Sequence, residues 1–79
     1  MKYTIRKLDS DCWIDVFAFA ADEKPQDVAE TIAKHVKNGV IRIFVPTRFC
    51  LIENRLNGRE HQVGVDVVVR PNGGVVGQA

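Results

Sequence analysis

Five stretches of this chain alternate apolar and polar residues, and one follows a helical period. Alternation marks a strand with one face buried, and a 3.6-residue period marks an amphipathic helix. The alternating stretches are Lys2–Leu8, Cys12–Ala20, Val40–Val45, Arg48–Leu56 and Arg59–Arg70. Between the second and third, Val28, Ala29, Ile32, Ala33 and Val36 make one apolar stripe. Pro25 suits a first helical position, where its missing N–H costs nothing. Asp22, Glu23 and Asp27 sit near the positive end of the helix dipole, and Lys34 and Lys37 near the negative end. Asn38-Gly39 closes the helix, with glycine in the left-handed position that follows a helix C-terminus.

The breaks between stretches predict how they join. Asp9-Ser10-Asp11 is a turn, because short polar side chains bond their own backbone. Asn57-Gly58 is a strong hairpin signal. Read as a two-residue turn, it pairs Ile52 with Val63 and Cys50 with Val65. Pro71-Asn72-Gly73-Gly74 reads as a breaker. The expected order is ββαβββ, an α+β domain with one helix packed on one face of a mainly antiparallel five-stranded sheet. Residues 1–70 form the domain and 71–79 a Gly-rich C-terminal tail, in which Val75–Ala79 reads as either frayed tail or a short edge strand.

Strict alternation puts Trp13, Phe17 and Phe19 on one side of the second strand, and Phe44 and Phe49 are expected on that side too. The other side carries isoleucine, valine and cysteine from every later strand. The aromatic side also carries Asp15, Arg42 and Asp66, and burying an unpaired charge is costly. The helix is therefore expected over the aliphatic side. The aromatic side is left as an exposed patch, of the kind that marks interaction sites.

Composition narrows the function more by exclusion than by signal. The chain has 79 residues and a formal net charge of +1, so its bulk charge points to no polyanion and no membrane. Charge is nevertheless uneven: residues 1–30 carry four bases against seven acids, and residues 31–79 carry seven against three. Separate acidic and basic regions can steer a specific partner. The longest apolar run is too short to span a bilayer, and the opening residues show no signal-peptide pattern. The expected setting is the cytoplasm. There Cys12 and Cys50 are read as free, buried, structural thiols.

Candidate chemistry is sparse. Cys12, His35, Cys50 and His61 lack the short spacings of a zinc site, so no metal is expected. Cys50, His61 and Asp66 fail as a triad, because the expected register separates them. Asn72-Gly73-Gly74 is too short for a phosphate loop and precedes no helix. No enzyme activity, cofactor or small-molecule substrate is expected. The candidate partner-binding residues are Trp13, Phe17, Arg42, Phe44, Arg48 and Phe49. Secondary candidates are the acidic turns with Asp9, Asp11, Asp22 and Glu23, and the basic hairpin tip with Arg55 and Arg59. Trp and Arg are favoured anchors where proteins meet, so a protein partner or a homodimer is the first expectation. The alternative is nucleic acid, with unpaired bases stacked on the aromatic and arginine face.

In size and build, though not in any motif, the chain resembles small α/β inhibitor proteins encoded by phages and mobile elements, including anti-CRISPR proteins. The resemblance covers the whole chain and transfers no site residue. It implies a stoichiometric inhibitor or adaptor that acts on a larger protein or nucleoprotein complex.

Overall fold

A computed structural model of the protein describes residues 1–78. Its elements are β1 (Tyr3–Asp9), β2 (Cys12–Phe19), α1 (Val28–Lys37), β3 (Thr47–Asn54), β4 (Glu60–Val69) and β5 (Val75–Gln78). One antiparallel sheet runs in the order β2-β1-β3-β4-β5, with α1 packed on one face. The α+β architecture is the expected one, but its strands are not all the expected ones. Val40–Val45 joins no sheet. The fifth strand is instead Val75–Gln78, inside the segment expected as a tail; Ala79 lies outside the described residues.

Val40–Val45 alternates for a different reason. Ile41 and Ile43 are buried in the core, while Arg42 and Phe44 point outward. The segment crosses from the end of α1 to the start of β3, held at its start by the Ile41 N–H donating to the His35 carbonyl at 3.0 Å. Alternation reports one buried side and says nothing of where the backbone finds partners.

The helix begins at Val28, later than Pro25. Asp27 is the N-cap, its side chain accepting from the Glu30 N–H at 3.0 Å. A capping carboxylate satisfies an otherwise orphan donor, which Pro25 cannot do. Ala29, Ile32, Ala33 and Val36 are buried, and Gly39 closes the helix with φ +80°.

The helix lies over the aromatic side, contrary to expectation. Tyr3, Ile5, Phe49 and Leu51 are fully buried beneath it, with Val63, Val67 and Val69. Phe17 and Phe19 complete this side, packing against His35 of α1 at centroid distances of 4.9 Å (tilted) and 5.5 Å (stacked). His35 Nδ1 lies 2.7 Å from the Thr31 carbonyl, which holds the ring in place.

A bulge in β2 explains why Asp15 did not follow the aromatics. Ile5 stands opposite Phe17, but Arg6 stands opposite Asp15, so Val16 has no partner on β1. The extra residue inverts the strand before it. Asp15 and Trp13 therefore lie on the face away from the helix, opposite Arg6 and Leu8. On β4, Gly64, Val65 and Asp66 together face Cys50 alone, between the pairs Leu51–Val63 and Phe49–Val67.

The β3–β4 hairpin differs from its expected register by one residue. Ile52 pairs with Gln62 and Leu51 with Val63. The loop has three residues, Leu56 to Gly58, with Arg55 N–H donating to the Arg59 carbonyl and Gly58 N–H to the Arg55 carbonyl. Only Gly58 is left-handed, at φ +79°, and the Asn57 side chain accepts from the Arg59 N–H instead. This is the turn-plus-bulge hairpin, the next most common after the two-residue form. The Pro71–Gly73 breaker forms the same loop: Gly73 N–H donates to the Arg70 carbonyl, and Arg70 N–H to the Gly74 carbonyl.

Candidate functional site

The face away from the helix needs no second layer, because long polar side chains roof it. Arg6 lies centrally, its Nε 2.7 Å from Asp15 and its two terminal nitrogens 3.0 and 2.5 Å from the two oxygens of Glu60. Such a fork joins strands β2, β1 and β4 across the sheet. The arginine holds the Glu60 carboxyl below its usual range. Beside it, Asp66 accepts from Gln62 at 2.8 Å and faces Arg48 at 3.8 Å. Asn54 donates to the Thr4 hydroxyl at 2.9 Å. Beneath this roof Cys50 and Ile52 are buried. Arg6 stands directly opposite Cys50, where its hydrocarbon stem covers apolar surface while its charge stays at the top.

Burial pushes the Cys50 thiol up to about 11, so it is a poor nucleophile near neutral pH. Cys12, expected to be buried, is exposed at the start of β2. Native protein should accordingly react with maleimide at one of its two thiols, Cys12, and at the second only on unfolding. Two fast-reacting thiols in the native state would show that the polar roof leaves Cys50 open.

Exposed apolar side chains are spread over the surface, Leu56 at the β3–β4 loop among them, but Phe44 and Val45 line a groove at the end of the sheet where β1 turns into β2 and β3 begins. There the segment 42–46 runs past the end of β1 and leaves a groove of about 240 Å³. Leu8, Ile43, Val45 and Pro46 supply its apolar lining; Asp9 and Arg42 also line it. Phe44 belongs to the same lining and is 91% exposed. It is not on a free loop: Ile43, next to it, is 8% exposed, and Ile41 is 3% exposed. Leu8 carries the apolar surface round the strand end to its partner Trp13, which is 40% exposed.

The six expected site residues are thus divided. Arg42 and Phe44 come together at the groove, with Trp13 across from Leu8. Phe49 is fully buried and Phe17 half-buried under the helix, so neither is available to a partner as an exposed patch requires. Arg48 lies on the roofed face, turned to Asp66. Among the secondary candidates, Asp9 lines the groove and Asp11 occupies the adjoining turn at φ +70°. Asp22 and Glu23 are exposed in the connection before α1. Arg55 and Arg59 lie at the opposite end of the sheet, beside the fully exposed Leu56, with Arg55 paired to Glu53 at 3.2 Å. Leu8 and Val45 were missed. Both end an alternating run, where a half-buried strand and an exposed apolar rim look alike.

No metal-holding group of three or more His, Cys, Asp or Glu side chains exists among the described residues. No described helix is long and apolar enough to cross a membrane. Comparison with known protein families, characterised proteins and solved structures finds no match. Function is therefore argued from this surface alone.

Proposed function

We propose that the chain is a protein-binding domain that works by stoichiometric association and not by chemistry, with its docking end at Phe44, Arg42, Leu8 and Trp13. The observation that carries this reading is Phe44 itself. A phenylalanine 91% exposed on a segment pinned by buried Ile41 and Ile43 is held outward without a partner in its own chain. A pre-positioned aromatic loses little freedom on binding, which is what an interface anchor requires. A role as inhibitor or adaptor of a larger complex, implied by the chain's build, needs a surface of this kind. The base-stacking alternative is weaker, because Phe49 is fully buried and Phe17 half-buried under the helix, which leaves Trp13 and Phe44 without a continuous platform between them.

Phe44→Asp is the direct test. The new charge sits in water, so stability should stay within about 0.5 kcal/mol of the parent. Proteins captured by the immobilised wild-type chain, in the presence of nuclease, should be lost by the variant. Capture that vanishes on nuclease treatment alone would favour nucleic acid. A folded variant that captures as the parent does would place the interface elsewhere.

A further inference from the structure

We infer that the occupant of this docking end is a second copy of the chain, related by a two-fold axis, with Phe44 of each protomer seated in the groove of the other. The inference rests on the protein-binding reading above and names its partner. A two-fold contact uses the same patch on both subunits, so that patch must be self-complementary. Most apolar grooves fail this condition because they have no projecting group of their own. Here knob and hole adjoin: Phe44 stands at the rim of the groove that Leu8, Ile43 and Pro46 line.

Charge meets the same condition. Asp9, at the end of β1, and Arg42, on the segment before β3, both line the groove. Neither makes an ion pair or a side-chain hydrogen bond among the described residues, although Arg6, Arg48 and Arg55 all do. In the proposed dimer the two-fold sets Asp9 of each protomer against the partner's Arg42, twice. A partner of uniform charge would meet one of these two side chains with like charge, which costs affinity. The opposite charges thus favour a surface that carries both, in the reversed order, as a second copy does.

Sedimentation of the full chain over a wide concentration range should show passage from one chain mass to two. Asp9→Arg and Arg42→Asp are both exposed substitutions, so each variant should melt as the parent does at concentrations low enough for all three to be monomeric. Each alone opposes like charges at both contacts and should weaken self-association roughly tenfold or more. Mixing the two variants restores opposite charges at both contacts of the heterodimer. The mixture should therefore associate at near-parental strength, which no partner other than a second copy can produce. A mixture no tighter than either variant alone overturns the inference. So does a wild-type chain that stays monomeric throughout. If that monomeric chain still captures another protein in a Phe44-dependent way, the docking end stands and only its occupant is wrong. If Phe44→Asp dimerises as the parent does, the docking end itself is misplaced.

Discussion

Replacing Phe49 by alanine is expected to cost about 3–5 kcal/mol and to leave much of the chain unfolded at ordinary temperature. Phe49 is fully buried between Lys7 of β1 and Val67 of β4, in the central strand of the sheet. Its removal takes away both the transfer of the ring from water and the contacts of its neighbours, which cannot collapse into the space from a hydrogen-bonded sheet. Folded domains hold only about 5–15 kcal/mol in reserve, and one of this size sits near the lower end. A urea titration reads the loss directly. The comparison with Phe44→Asp is the decisive one, because the two phenylalanines were expected on the same exposed face. One variant should unfold and the other should not. A Phe49→Ala chain that keeps a cooperative transition within about 1 kcal/mol of the parent would mean that the helix does not cover this side.

The second large effect is expected at Gly64. Its φ of +70° is one that side chains rarely adopt, and a Cβ there would lie 3.0 Å from Val28 Cγ2. Val28 is the first residue of the helix and half-buried, so its methyl must give by a few tenths of an ångström to admit the new side chain. Gly64→Val combines backbone strain of roughly 1–3 kcal/mol with overpacking of similar size. The neighbouring Gly58 has the same kind of φ, at +79°, but nothing within 4 Å of its Cβ position. Gly58→Val should therefore cost only the strain. Thermal melts of the two variants side by side test the assignment. Equal losses would show that Gly64 does not bring β4 against the helix.

Much of the local structure was legible. The stripe Ala29, Ile32, Ala33, Val36 became the buried face of α1, and Gly39 took the left-handed position expected of it. Four of the five strands lie within stretches of alternation or overlap them. For the fifth, length left tail and edge strand both open: Val75–Gln78 has four residues, too few for a pattern to decide. Its one available signal was Asn72-Gly73, which repeats the Asn57-Gly58 pair and makes the same loop. Of the candidate site, Arg42, Phe44 and Trp13 reached the surface at one end of the sheet, whereas Phe17 and Phe49 went under the helix.

The sequence by itself determined the apolar stripe and C-terminal end of α1 and the positions of β1 to β4, because caps, turns and apolar periods are settled by residues a few positions apart; it did not tell Val40–Val45 from a strand. Only the tertiary structure decided which faces meet. The physical premise about charge was sound: Asp15 and Asp66 are not buried under the helix, and both lie paired on the opposite face. The phase was wrong. A strand alternates with a period of two, so one unpaired residue at Val16 carries Trp13 and Asp15 to the other side while leaving Phe17 and Phe19 behind. One extra residue in the hairpin loop does the same to β4 and brings Val63, Val67 and Val69 onto the side of Phe49 and Leu51. Neither extra residue has a local signature. Bulge and loop length are chosen by packing and hydrogen bonding across strands that lie far apart in the chain, and that choice exists only once the sheet has formed.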